Sequence, residues 1–145
     1  FLGRFIRHGL WYPDRKLRLF DKRFGHCGGF NPHDMIIMNE GVAAEHLRGD
    51  LEHYTFDSME AYLDRNAAVS QIAAQSLYDA GVRRSWSRII FSPAWAFLNG
   101  YILRLGFLDG YRGWLIAVHT AHQSYMKYQE LRRLNKRKVE QVAWE

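Results

Sequence analysis

Residues 57–81 read DSMEAYLDRNAAVSQIAAQSLYDAG, and here the character of the chain changes. Asp57 and Glu60 form a D-x-x-E capping box, a helix-start signal. Met59, Tyr62, Leu63, Ala67, Ile72, Ala73 and Leu77 recur at helical spacing. Gly81 suits the position just past a helix end, where a left-handed backbone is needed. The spacing predicts a helix over Asp57–Ala80, with more helix after it and short strands before it.

Upstream, Leu2–Arg7 is rich in aromatic and branched residues and reads as a strand. Tyr12-Pro13-Asp14 signals a turn. Lys16–Phe20 alternates polar and apolar, as a half-buried strand does. HCGGFN at His26–Asn31 reads as a loop, Asp34–Met38 as a buried strand, Val42–Leu47 as a candidate return strand and Leu51–Tyr54 as the last one. Downstream, a second helix is expected to start near Ser85 and to end before Pro93. A third begins at Pro93, which a first helical turn tolerates, and runs to about Leu105. Gly106, Gly110 and Gly113 are expected to loosen the next stretch, and a last helix covers about Tyr111–Lys136. The expected class is α+β: short strands in residues 1–54, then three to four amphipathic helices, with the division between the two regions at residues 56 and 57.

Charge divides at the same place. Residues 1–81 carry nine Lys/Arg against eleven Asp/Glu; residues 82–145 carry eleven against four. A basic second half implies an anionic partner. Nucleic acid is disfavoured, because the basic residues alternate with large aliphatics and no helix-turn-helix, zinc or RNA-binding signature appears. Cys27 is the one cysteine, which excludes a disulfide framework, and it reads as a small turn residue rather than a nucleophile.

Ile89–Leu108, IIFSPAWAFLNGYILRLGFL, has about the length that spans a bilayer. Pro93, Asn99, Gly100 and Arg104 lie inside it, and a charge at mid-membrane costs several kcal/mol. A segment lying at the membrane interface therefore fits better, with Trp86, Trp95, Tyr101, Tyr111 and Trp114 as anchors and arginines meeting lipid phosphates. The competing reading is a soluble helical core with snorkelling arginines.

Candidate chemical groups cluster early. His8, Trp11, Tyr12, Asp14, His33, Asp34, Asp50 and His53 fall in expected loops or at strand ends, where a scaffold positions reactive groups. Asp34, just before an apolar run, suits a partly desolvated base. His53 suits a metal ligand or a phosphate donor. His119 and His122 share a helix face, but two histidines without a third ligand are not a zinc site.

Taken in order, HGLWYPDRKLRLF, NPHD, LRGDLEHYTF and WAFLNGYILRLGFLDGYRGW resemble the C-terminal part of bacterial family-2 glycosyltransferases, of the lipopolysaccharide-core glucosyltransferase type. The resemblance covers about residues 3–130. It implies a GT-A-type mixed sheet whose nucleotide-binding half, with its Asp-x-Asp metal motif, lies outside this chain. The start at Phe1 is in keeping with a fragment, expected to be inactive and poorly stable alone. The resemblance further implies Asp34 as the general base, with His33 beside it and Trp11, Tyr12 and Asp14 shaping the sugar site. Lys16 and Arg18 would face the diphosphate, and His53 would complete a divalent metal site (Mg or Mn) held mostly by the other half. A nucleotide-sugar donor, a lipid-linked glycan acceptor and an anionic membrane surface follow as partners. The implied location is cytoplasmic, peripheral on the inner face of the cell membrane. Where the family pattern has a second glycine after its first histidine, this chain has Leu10 after Gly9, which adds bulk near Trp11. The alternative is a non-enzymatic helical module that binds a membrane surface or a partner.

Overall fold

The computed structural model describes residues 1–28, 35–83 and 86–142, with side chains to residue 137. Its elements are two short strands, β1 (Gly25–Gly28) and β2 (Met35–Met38), and three helices, α1 (Met59–Asp79), α2 (Trp86–Phe97) and α3 (Gly110–Val142). A π-helical turn, Leu98–Leu103, extends α2, and a 3-10 turn, Gly106–Asp109, leads into α3. Helix α3 packs against both α1 and α2.

Helix α1 keeps nearly the expected span, but its cap moves by one residue. Ser58 is the N-cap, its hydroxyl accepting from the Ala61 N–H at 3.1 Å. That bond satisfies one of the amides a helix start leaves orphaned. At the far end Gly81 has φ +75°. Its N–H donates to Tyr78 O at 2.9 Å, and the Val82 N–H donates to Leu77 O at 2.9 Å. These paired bonds form a Schellman motif, which glycine accommodates without a Cβ clash.

The break expected at Pro93 does not occur. Helix α2 runs through it, although the proline cannot bond to the Ile89 carbonyl. Packing overrides the local penalty: Ile89 is buried, and Ser92 Oγ lies 2.8 Å from Ser124 Oγ on α3. Ser70 provides the matching polar contact between α1 and α3. Its buried hydroxyl donates to Asn66 O at 2.7 Å, with Gln123 O at 3.2 Å. Around these contacts Tyr62, Ala74, Leu115, Ile116, Ala117 and Leu131 form the core.

The glycines after α2 tighten the chain where loosening was expected. A Cβ on Gly106 would stand 2.5 Å from Gly100 O, and one on Gly113 would collide with Gly106 O. Only bare backbone allows the π turn, the 3-10 turn and the start of α3 to meet this closely. Leu10 fills the remaining space, its side chain 3.0 Å from where a Gly100 Cβ would be.

The strand expectations fare differently. β2 lies within the expected Asp34–Met38 run, but its antiparallel partner β1 comes from a stretch read as a loop, with Gly25 opposite Met38 and Gly28 opposite Met35. Cys27 is therefore an exposed strand residue. Leu2–Arg7, Lys16–Phe20, Val42–Leu47 and Leu51–Tyr54 form no strands. A strand needs a neighbour for its backbone groups. In the first of these segments the Arg7 amide turns instead to a helix-side carboxylate, that of Asp109.

Candidate functional site

A cleft of about 660 Å³ opens between the N-terminal segment and residues 50–56. Trp11, Tyr12, Phe5 and Phe56 supply aromatic surface, and Asp14, Lys16, Asp50, Glu52 and His53 supply charge and hydrogen-bonding groups. Trp11 joins the cleft to the core. Its ring makes edge-on contacts with Phe1 at 5.2 Å and Tyr62 at 5.7 Å, and the nearly buried Tyr62 contacts Phe56 at 5.2 Å and His119 at 5.6 Å. Interlocked rings of this kind hold one another in a fixed orientation. Burial raises the Tyr62 phenol above its ordinary value.

The polar rim is bonded within itself. The Tyr12 hydroxyl donates to Asp50 Oδ2 at 3.2 Å, across a cis Tyr12–Pro13 peptide on one side and the 50–56 segment on the other. Lys16 Nζ lies 2.7 Å from Asp14 Oδ2, with both side chains half exposed. The Tyr54 hydroxyl donates to Glu52 Oε2 at 3.1 Å, and that bond raises its pKa. Thr55 Oγ1, in the cleft lining, is buried with no hydrogen-bond partner among the described residues. The arrangement offers rings that stack on the apolar faces of a ligand and carboxylates that accept from its hydroxyls.

Six of the residues that the sequence points to, Trp11, Tyr12, Asp14, Lys16, Asp50 and His53, thus come together on one cleft. Arg18 is exposed and does not line it. His33 and Asp34 lie outside the described residues. Among the described residues no three His, Cys, Asp or Glu side chains converge closely enough to hold a metal ion. Asp50, Glu52 and His53 line one cleft without forming a metal centre, so these residues do not fit a metal site by themselves. Glu52 and Phe56 were not singled out as site residues. Their signal was proximity to His53 in DLEHYTF.

A second surface lies on the helices. Trp86, Ile90, Phe91, Trp95, Leu98 and Ile102 recur at helical spacing along α2 and its π turn and are all exposed, Phe91 by 70%. Leu105, Phe107, Leu108, Tyr111 and Trp114 are exposed as well, with the Tyr111 and Trp114 rings stacked at 5.9 Å. Arg132 lies over the Trp86 ring at 3.7 Å. Among the described residues no helix is long and apolar enough to cross a membrane.

Together these features describe an α+β chain with an open aromatic and charged cleft on a helical platform. The chain is similar to curated proteins named glycosyltransferases. One is an uncharacterized glycosyltransferase of Rickettsia prowazekii (strain Madrid E), 25% identical over 125 residues, which cover 81% of this chain and 43% of the relative. Another is an uncharacterized glycosyltransferase of Rickettsia typhi (strain Wilmington), 25% identical over 126 residues, which cover 82% of this chain and 43% of the relative. The chain therefore spans less than half the length of the curated relatives it matches. No family model matches it. No solved structure matches it.

Proposed function

We propose that this chain provides the acceptor side of a glycosyltransferase of the family-2, GT-A type. The enzyme would transfer a sugar, with inversion, from a nucleotide-sugar donor to a lipid-linked glycan such as a lipopolysaccharide core. The cleft carries this reading: it gathers Trp11, Tyr12, Asp14, Lys16 and His53 from two separate segments. The likeness to proteins named glycosyltransferases supports the general activity.

In this reading the aromatic wall binds the sugar rings of the acceptor, and Asp14 and Asp50 accept from its hydroxyls. Asp34, assigned from the resemblance alone, takes the proton of the attacking hydroxyl as the new bond to the anomeric carbon forms and the diphosphate leaves. Lys16 supplies positive charge toward that diphosphate, and Arg18 adds to it from outside the cleft. No step runs through a metal held by this chain. The divalent ion implied by the resemblance, with His53 as one ligand, would be bound mostly by residues beyond it.

The exposed aromatic face, with arginines near it, supports placement on an anionic membrane surface, on the cytoplasmic side where a lipid-linked acceptor would be met. The same face favours a second reading, a non-enzymatic module that binds a membrane surface. Nucleotide-sugar turnover by the full-length protein, with membrane glycolipid as acceptor, separates the two. Turnover is expected, and Asp34→Asn should lower it by about 10²–10⁴-fold, the usual contribution of a general base. Full turnover in that variant would refute the base. Absence of turnover together with salt-sensitive binding to anionic vesicles would favour the module.

A further inference from the structure

The wall of the cleft is held by a group that is not in it. The Asp109 side chain, 11% exposed, closes the 3-10 turn on the helical platform. Its Oδ2 accepts from the Arg7 N–H at 3.1 Å and the His8 N–H at 2.8 Å, and its Oδ1 lies 3.3 Å from both the Arg7 N and His8 Nδ1. The next amide, Gly9, donates to Arg104 O at 2.8 Å. Three successive amides of the N-terminal segment thus end on platform groups about a hundred residues away in sequence. Arg112 adds a fourth tie, donating from Nε and Nη2 to Leu2 O at 3.1 and 2.8 Å.

These ties reach the cleft only at their N-terminal end; the platform groups stay outside it. Arg7, Leu10, Trp11 and Tyr12 line it; Asp109, Arg104 and Arg112 do not. A carboxylate bonded to two backbone N–H groups is a charge-assisted contact, stronger than a neutral pair. Because both amides converge on one oxygen, an asparagine could keep them with its carbonyl but would lose the charge, and a glutamate would add a methylene against a joint already closed by Gly106 and Gly113. The joint explains why the carboxylate reaches the segment at all: bare backbone at those glycines brings the turn down onto α3.

We propose that Asp109 is a positioning residue for the acceptor cleft, fixing the Arg7–Gly9 backbone so that Trp11 and Tyr12 stand at its wall. The proposal rests on reading the cleft as the acceptor site, and its test is built to fail separately. In the full-length protein, Asp109→Ala is compared with wild type by amide hydrogen exchange and by steady-state kinetics. Exchange at residues 7–12 should rise about ten-fold, as expected for losing one hydrogen bond to a charged group, while Leu115–Leu131 stays protected. The KM for acceptor should rise by a similar factor, with donor KM unchanged to within about two-fold. Unchanged exchange at 7–12, or both KM values rising together with a lowered Tm, overturns the proposal. Where the variant does not fold, wild-type exchange decides: the amides of Arg7, His8 and Gly9 must exchange more slowly than those of residues 44–48, and equal rates overturn it. The predicted exchange pattern without any sugar transfer supports the anchor and rejects the acceptor reading.

Discussion

Residues 14–54 and the helical platform are built on opposite terms. In the platform, apolar side chains are buried between three helices that are also joined by serine contacts and a glycine joint. In residues 14–54, Gly25 alone is buried among the described residues, and Leu19, Leu47, Leu51 and Tyr54 are each at least 73% exposed. The first region supplies stability. The second supplies the polar groups of the cleft with little packing of its own, so its geometry depends on what holds its edges. Residues 1–12 belong with the platform in this respect, since Asp109, Arg104 and Arg112 hold their backbone.

The contrast is tested most strongly by two leucines. Leu131 is 1% exposed and Leu51 is 79% exposed. Leu131→Ala should lower unfolding free energy by about 2–5 kcal/mol through lost transfer energy and a cavity. Leu51→Ala should stay within about 0.5 kcal/mol. Urea unfolding followed by helical circular dichroism measures both. Similar losses would show that residues 14–54 share the cooperative core, and the division would fail.

The glycine joint comes next. Gly113→Ala puts a methyl against the Gly106 carbonyl, and overpacking of this kind costs about 1–3 kcal/mol. Because the joint sets the position of Asp109, the variant should also raise exchange at Arg7 and His8 beyond the rise seen in α1. Equal rises throughout would make the joint a matter of stability alone.

At the edge of the platform, Ser58→Ala removes the hydroxyl that caps α1. The expected loss is about 1 kcal/mol, read as a shift in the urea midpoint without a change in slope. Asp57→Ala should lose less, because Ser58 is the residue whose side chain bonds to the helix start. The reverse order would restore Asp57 as the cap.

Legibility in the sequence follows the range of the interactions. Helix α1 was readable because its spacing, start signal and Gly81 all lie within one segment. The unbroken α2 is not, because it depends on the burial of Ile89 and the contact of Ser92 with Ser124 on α3, which no local rule at Pro93 contains. Most of strand β1 looks like a loop in the sequence because a glycine-rich GHCG becomes strand only beside MIIM. The cleft is half legible: Trp11, Tyr12, Asp14, Lys16, Asp50 and His53 are polar or aromatic residues in loops, where reactive groups tend to sit. Asp109 carried no such signal. It is one acid in a short turn, and its role exists only because the chain returns to it from a hundred residues away.

The smallest effect concerns the seam where cleft and platform meet. His119 stands on α3 with its ring edge-on to Tyr62 at 5.6 Å, behind Trp11. Burial, and then the charge of His122, lower its pKa from the ordinary 6.5. The folded chain therefore resists protonating His119, while the unfolded chain accepts the proton near pH 6.5. Between the lowered folded value and 6.5 the unfolded state binds more protons, so stability rises with pH there and falls as pH drops below about 6.5. The measurement is Tm at about pH 5.5 and about pH 7.5, on either side of a free histidine's titration. Wild type should lose more Tm on acidification than His119→Gln, and His122→Gln should fall between them because it removes the second cause only. Equal losses in wild type and His119→Gln would mean that the ring is free to take its proton in the folded chain. The Trp11–Tyr62 seam would then be more open to water than its packing implies, and the cleft less firmly backed by the platform.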